Sequence, residues 1–278
     1  MSTLTEPATG LRYAPAGRST ASTPTPMGGL ALAETRDLIG RTLRRCLRTP
    51  DTLIMGIALP VIIMAMFVYV FGGAIDTGME YVNYVVPGIV LLCAGYGAST
   101  TAVAVASDMT GGLMNRFRSL PMRPAAVLTG HVVESVVRNA VSTTLVVGVA
   151  YAAGFRPTAD LGGWLAVVAL VVAYVLALTW VAVCIGIVAS TPEAASGFSF
   201  AIMFLPYVSS AFVQPETMPR VLELVARYQP VTPVTDTVRG WLIGAPGAQP
   251  FVAFAWCVGV LAVARVLAVV LFRRRAQA

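Results

Sequence analysis

The sequence predicts an all-α integral membrane protein with six transmembrane helices. Of its 278 residues, 57% are hydrophobic and only 12% are charged, and the mean hydropathy is +0.78. A soluble domain carries about 25% charged residues, so this composition cannot cover a water-facing surface. The chain also lacks the ten-residue segments of alternating hydrophobicity that build an outer-membrane barrel. The composition excludes a single soluble globule and the lack of alternation disfavours a barrel, so helical spans are expected.

Six stretches approach the roughly 20 apolar residues that one helix needs to cross the hydrocarbon core. The predicted spans are 52–71, 85–107, 132–153, 163–188, 194–213 and 251–272. Pro60 and Pro206 lie inside two of these spans and are expected to kink them, while neighbouring helices satisfy the freed carbonyls. The second span is rich in small residues, which favours close helix packing, although the same residues are also candidates to line a substrate route.

The distribution of basic residues predicts the orientation. All nineteen are arginines. With both termini in the cytoplasm, thirteen arginines fall in cytoplasmic segments, two lie within spans and four fall in external segments; those four are Arg156, Arg220, Arg227 and Arg239. The positive-inside rule therefore predicts that both termini are cytoplasmic. We expect a multi-pass protein of a bacterial plasma membrane.

The region before the first span has two parts. Residues 1–29 are rich in Thr, Ser, Pro, Ala and Gly, which predicts a disordered cytoplasmic tail ahead of one membrane domain at 30–278. Residues 30–49 have a helical pattern with a basic stripe on one face, formed by Arg41, Arg44, Arg45 and Arg48. Such a helix is expected to lie on an anionic membrane surface. An ordinary juxtamembrane charge cluster is the alternative, and it predicts the same location.

The cytoplasmic loop at 108–130 is too substantial to be a simple connection. Leu113, Phe117 and Leu120 have the spacing of one helical face, and Pro121 ends the run. A short cytosolic helix with exposed apolar residues between two arginines is suited to docking into the groove of a partner. The alternative is a surface helix that folds back onto the bilayer.

The external segment at 214–250 is too polar to span the membrane but has amphipathic stretches. Thr217 is predicted to cap one helix and Thr232 a second, which should end near Gly244. These helices are expected either to lie partly in the outer leaflet or to pack against the external mouth of the bundle.

Two ionisable residues of the third span are candidates for function. Glu134 precedes Arg138 by four positions, which is the favourable order for a neutralising pair, and a place in the transport path is the alternative. The chain has one His and four dispersed Cys, so no zinc site of ordinary spacing is expected. It contains no Lys, which excludes a Walker A phosphate loop. We therefore expect a protein that is not an enzyme and has no nucleic-acid partner.

After residue 30, the sequence resembles the membrane subunit of a type-2 ABC exporter, of the daunorubicin-resistance permease kind. The run Arg116-Phe117-Arg118-Ser119-Leu120-Pro121, followed by Ala126-Val127-Leu128 and Gly130, carries the best local match. The external run with Pro219, Gln229-Pro230-Val231-Thr232 and Arg239 is also similar to the family's region before the last span.

The resemblance implies the type-2 ABC permease fold and a homodimer, or a heterodimer with a sister permease, that carries two separate ATPase subunits. ATP and Mg would bind to those partners, and this chain would hold no cofactor. The residues that would face the ATPase are Asp108, Leu113, Arg116, Phe117, Arg118 and Leu120. The transport route would follow the dimer interface near the first, second and fifth spans, and the membrane lipid would surround the dimer. The expected substrate is a hydrophobic or amphipathic small molecule, such as a drug, antibiotic or lipid, that leaves the cell by alternating access.

Two other classes of protein stay open at this stage. An ion-gradient-driven secondary transporter would require a buried carboxylate, and Glu134 is the one available. A membrane scaffold or enzyme without transport activity is the third possibility.

Overall fold

The computed structural model describes residues 50–75, 77–111 and 124–277, and these residues contain eight α-helices and no β-strand. The helices are α1 (Pro50–Ala65), α2 (Tyr81–Thr110), α3 (Pro124–Ala152), α4 (Leu161–Val188), α5 (Pro192–Phe204), α6 (Arg220–Tyr228), α7 (Val231–Ile243) and α8 (Pro250–Gln277). A π-helical stretch, Met66–Phe71, continues α1, and short 3-10 helices cover Leu205–Val208 and Pro215–Thr217.

Four of the described helices are long and apolar enough to cross a membrane. They are Tyr81–Thr110, Leu128–Ala152, Leu161–Val188 and Pro250–Arg275, and a shorter apolar helix covers Gly56–Phe71. The apolar runs at 85–107, 132–153, 163–188 and 251–272 coincide with these long helices. The total of six spans and the orientation of the termini stay predictions.

The predicted span at 194–213 is interrupted near Pro206, where the sequence predicts only a kink. Helix α5 ends at Phe204, and the chain tightens into the 3-10 helix that contains Pro206. Proline has no N–H to donate to the carbonyl four positions earlier, so a regular helix is not favoured through this residue. The hydroxyl of Ser209 then donates to the Pro206 carbonyl at 2.6 Å, and the backbone at Ser209 becomes extended.

Side-chain caps set where α4 and α5 begin. A carboxylate oxygen of Asp160 accepts a 2.8 Å hydrogen bond from the Gly163 amide at the start of α4. The hydroxyl of Thr191 accepts a hydrogen bond from the Ala194 amide, with Pro192 in the first turn of α5. Both caps satisfy amides that have no partner inside the helix.

Helix α2 lies at the centre of the bundle, where it packs against α1, α3, α4, α5 and α7. Glycines allow neighbouring helices to pack closely against α2, as the small residues of the second predicted span indicate. A Cβ at Gly186 of α4 would lie 2.6 Å from the Ala102 carbonyl, and a Cβ at Gly97 would lie 2.1 Å from the amide nitrogen of Asn139 in α3. A Cβ at Gly88 would lie 2.6 Å from the Cβ of Ala211. Small residues therefore fix the spacing of α2 from α3, α4 and the turn after the 3-10 helix.

The bundle has two ends that differ in content. We call the end where α2 finishes and α3 begins the loop end, because residues 112–123 join those helices there. The last turns of α4 lie near the same end, since Gly186 approaches Val105 of α2. We call the other end, where α7 packs beside the start of α2 and α6 contacts α7, the opposite end.

Both predicted helix caps in 214–250 are wrong. Thr217 ends the Pro215–Thr217 turn, and its hydroxyl donates to the Gln214 carbonyl, so α6 begins after Pro219 without a side-chain cap. The hydroxyl of Thr232 donates to the Ala226 carbonyl and ties α7 to α6. Helix α7 does end at Gly244, whose φ of +70° is readily adopted by glycine.

Candidate functional site

At the loop end, a contact between the side chains of Asp108 and His131 connects α2 to α3. Nε2 of His131 lies 2.9 Å from Oδ2 of Asp108, and the side chains are 16% and 38% exposed. Asp108 lies two residues before the end of α2, where the Gly111 amide donates to the Ser107 carbonyl. The contact therefore joins the two helices that flank residues 112–123.

Most of the predicted coupling residues lie outside the described residues. These are Leu113, Arg116, Phe117, Arg118 and Leu120, so Asp108 is the member of that set that the structure places. The predicted membrane-surface residues Arg41, Arg44, Arg45 and Arg48 also lie outside the described residues. Their roles stay predictions.

The structure brings Glu134 and Arg138 together on α3. Their closest charged atoms are 3.7 Å apart. Nη2 of Arg138 also donates to the Gly97 carbonyl at 3.1 Å and to the Thr101 hydroxyl at 3.0 Å. The arginine thus links α3 to α2 in addition to its pairing with the glutamate.

A second link at the loop end joins α8 to α4. Nη1 of Arg275 donates to the Ala189 carbonyl at 3.1 Å and to the Ile187 carbonyl. These carbonyls lie at the end of α4, where they have no amide partner inside the helix. A basic side chain near a helix C-terminus is also favoured by the helix dipole.

The opposite end contains a buried cluster around Arg239. The sequence predicts that this arginine lies in an external segment. Arg239 is only 5% exposed. Its guanidinium donates to the Asp236 carboxylate at 2.8 Å, to the Ser210 carbonyl at 2.7 Å, and to the Tyr84 carbonyl at 3.1 and 3.2 Å. The same group lies 3.8 Å from the centroid of the Tyr84 ring. We call these residues, Tyr84, Ser210, Asp236 and Arg239, the Arg239 cluster.

Burial dominates the electrostatics of the Arg239 cluster. It raises the pKa of Asp236, and this effect outweighs the opposing hydrogen bond from Ser210 and the charge of Arg239. Burial also lowers the pKa of Arg239. The guanidinium stays protonated even so, because arginine is not deprotonated in proteins.

The Arg239 cluster connects three parts of the chain. Tyr84 belongs to α2, Ser210 to the turn after the 3-10 helix, and Asp236 with Arg239 to α7. The hydroxyl of Tyr81 adds a 2.8 Å hydrogen bond to the Phe212 carbonyl. The cluster therefore holds α7 and the 209–212 turn against the first turns of α2. The spacing of Asp236 and Arg239, three positions apart on one helix face, is the sequence signal that could have indicated it.

The described residues contain no group of three or more His, Cys, Asp or Glu side chains that could hold a metal ion.

The described residues fold into an all-helical bundle, and four of its helices are long and apolar enough to cross a membrane. The chain belongs to the ABC-2 type transporter family, whose model matches residues 34–243.

Curated relatives carry more specific names. The chain is 30% identical over 257 residues to the daunorubicin resistance ABC transporter permease protein DrrB1 of Streptomyces coeruleorubidus, covering 90% of this chain and 89% of the relative. It is 24% identical over 248 residues to the probable doxorubicin resistance ABC transporter permease protein DrrC of Mycobacterium tuberculosis, covering 88% and 90%.

Proposed function

We propose that this chain is the membrane subunit of an ATP-driven exporter and that a separate ATPase subunit hydrolyses ATP. Membership of the ABC-2 type transporter family over residues 34–243 carries the proposal. The absence of Lys from the sequence supports it, because a Walker A phosphate loop requires one. The energy for transport would then come from the partner, which would bind ATP and Mg.

Coupling to the ATPase would pass through the loop at 108–130. In this proposal Leu113, Phe117 and Leu120 form an apolar face that docks into a groove of the ATPase, with Arg116 and Arg118 beside it. Movement of that loop would reach α2 and α3 together, because Asp108 and His131 join the two helices at its base. The links from Arg138 to α2 would carry the movement further along the bundle.

Transport would require a second copy of this chain or a sister permease. Helix α5 exposes Phe198, Phe200 and Phe204, and the Met66–Phe71 stretch exposes Tyr69 and Val70. An exposed aromatic surface of this kind is suited to contact with another membrane subunit. Alternating access would then open a route between the two subunits, first to the cytoplasm and then to the outside.

The proposed substrate is a hydrophobic or amphipathic small molecule, such as a drug, antibiotic or lipid. The names of the relatives, which refer to resistance to daunorubicin and doxorubicin, support this class. The proposed location is a bacterial plasma membrane, which is where such a molecule would be collected and expelled.

Transport of doxorubicin into inside-out vesicles tests the proposal. Vesicles that contain this chain and its cognate ATPase should accumulate the drug when ATP is added, and vesicles with either subunit alone should not. Accumulation that an imposed pH gradient drives without ATP, and that exceeds the passive accumulation in vesicles lacking this chain, would contradict the proposal and favour a secondary transporter.

A further inference from the structure

An apolar groove of about 660 Å³ lies on the surface of one copy of the chain, between α4 and α8. Val181 and Cys184 form its α4 side, and a stripe of α8 from Val252 to Leu267 forms the other side. At about 1.5 Å per residue, the stripe is about 22 Å long. The groove therefore extends over most of a hydrocarbon core of about 30 Å.

The groove faces the membrane rather than the interior of the bundle. Its lining includes four side chains that are between 42% and 68% exposed, namely Val252, Trp256, Val263 and Leu267. Among the four long apolar helices, α8 has the smallest buried share. A lipid chain can therefore enter the groove sideways from the bilayer without crossing water.

The lining offers little polar chemistry to an occupant. Two of the lining side chains carry a polar hydrogen, those of Cys184 and Trp256. Sγ of Cys184 donates to the Ala264 carbonyl at 3.2 Å, so the thiol already has a partner. Trp256 lies within two turns of the start of α8, near the depth at which tryptophans meet the membrane interface. The wall between these two residues matches a hydrocarbon chain.

An exposed arginine continues the groove face at the loop end. Val263, Leu267, Val270 and Arg274 follow one another at intervals of three or four residues, so they lie on one face of α8. Arg274 is exposed and lies about 10 Å beyond Leu267 along the helix axis. Arg273 is exposed at nearly the same depth, but its position is rotated by about 100° from Arg274. Arg274 is therefore the arginine of this pair that lies in line with the groove.

The charge and the length of the face both fit a phospholipid. Helix α8 contains four arginines and no acidic residue, so its loop end attracts anionic headgroups. The distance from the headgroup level to the bilayer centre is about 20 Å. Gly259 lines the groove about 22 Å from Arg274, which places it near the end of a chain whose headgroup lies at the arginine.

We propose that this groove binds one acyl chain of an anionic phospholipid from the leaflet at the loop end, and that Arg274 binds the headgroup phosphate. Arginine and phosphate form charge-assisted hydrogen bonds, which are stronger than neutral ones. The predicted orientation makes this the cytoplasmic leaflet. The inference concerns lipid bound to a single copy of the chain and does not rest on ATP-driven transport.

Native mass spectrometry of the purified full chain tests the headgroup, with phosphatidylglycerol and phosphatidylcholine of identical acyl chains as probes. The first phosphatidylglycerol should bind about two- to fivefold more tightly than the first phosphatidylcholine. Arg274→Gln should remove most of this preference. Arg273→Gln is the matched control, because it removes the same charge one position away, and it should retain most of the preference.

Two results of this titration would overturn the proposal. One is equal affinity of the two lipids for the unchanged protein, a comparison that needs no variant to fold. The other is an equal loss of preference in Arg274→Gln and Arg273→Gln, which would show attraction to surface charge without a site. Glycerol phosphate, which has the phosphate without the chains, should not displace the lipid at the same concentration, and displacement would contradict binding through the groove.

A second pair of variants locates the acyl chain. Val263 lines the groove, and Val258 is 56% exposed on another face of α8, so Val263→Phe and Val258→Phe add the same bulk at two exposed positions. Val263→Phe should weaken the binding of both lipids by about twofold or more, because the added ring displaces chain contacts, and Val258→Phe should not. If a second copy covered the groove, Val263→Phe would convert dimers to monomers and leave lipid binding unchanged. That result would overturn the proposal as well.

Discussion

The 2.9 Å contact between Nε2 of His131 and Oδ2 of Asp108 joins the helices on either side of residues 112–123. It fixes the separation of the two points from which the predicted coupling loop leaves the bundle. A displacement of the loop by an ATPase would therefore move α2 and α3 as a pair. Nearer the middle of these helices, Arg138 makes a second connection between them.

The first prediction concerns coupling through this contact. Both side chains are partly exposed, so Asp108→Asn and His131→Ala should each lower the free energy of unfolding by less than about 1 kcal/mol. Transport should fall by about twofold or more in each variant, because the loop would be held less firmly. ATP-dependent doxorubicin uptake and thermal unfolding measure the two effects. In a double-mutant cycle the losses of transport should be less than additive, and full additivity would contradict a shared role.

The second prediction concerns the Arg239 cluster. Arg239→Leu should destabilise the protein by about 3–5 kcal/mol, because it leaves the Asp236 carboxylate without its buried partner. Arg227→Leu is the matched control, since Arg227 is 50% exposed in its ion pairs with Glu216 and Glu223. That change should cost less than about 1 kcal/mol. Thermal unfolding of the two variants in one detergent compares their losses of stability. An equal loss in Arg239→Leu and Arg227→Leu would show that the burial of Arg239 does not contribute to stability.

The third prediction concerns the spacing of α2 and α4. A Cβ at Gly186 would lie 2.6 Å from the Ala102 carbonyl and 2.7 Å from the Cβ of Val105. Gly186→Ala should therefore cost about 1–3 kcal/mol, since a backbone atom cannot easily move aside. Gly148 is the control, because a Cβ there meets no atom within 4 Å, and Gly148→Ala should be neutral or slightly stabilising. A neutral Gly186→Ala would mean that these helices are not closely packed.

The fourth prediction separates the two kinds of transporter. Glu134→Gln should leave ATP-dependent transport unchanged and cost less than about 1 kcal/mol, because Arg138 keeps its contacts with Gly97 and Thr101. Transport by a proton-driven carrier would instead depend on this carboxylate. Uptake into vesicles under ATP and under an imposed pH gradient provides the comparison. Loss of ATP-dependent uptake in Glu134→Gln would place the glutamate in the transport path.

The long apolar helices could be predicted from the sequence because their signal is local. The predicted run at 163–188 differs from α4 by only two residues at its start, where the Asp160 side chain caps the helix. The predicted run at 194–213 is interrupted because the chain changes its local helical geometry near Pro206. Pro206 predicts a kink at this point, but neither hydropathy nor the proline shows that the α-helix ends at Phe204 and is followed by a 3-10 helix.

Only the Asp236–Arg239 pair of the Arg239 cluster could be predicted from the sequence, because the other partners of Arg239 are distant in the chain. Tyr84 precedes Arg239 by 155 positions, and Ser210 precedes it by 29. Counting arginines by segment treats Arg239 as an exposed charge, whereas folding of α7 against α2 buries it. The pairing of Glu134 with Arg138 could be predicted from the sequence because both residues lie on one helix, four positions apart.

Recovery of an ATPase with the affinity-purified chain from its native membrane tests both the exporter assignment and docking through the loop at 108–130. The unchanged chain and Phe117→Leu, which keeps an apolar side chain, should both retain the ATPase. Phe117→Asp should lose it while the variant keeps its yield and thermal stability, because a charge would be placed in the apolar docking face. Retention of the ATPase by Phe117→Asp would contradict docking through this loop, and its absence from the unchanged chain would contradict the proposed exporter.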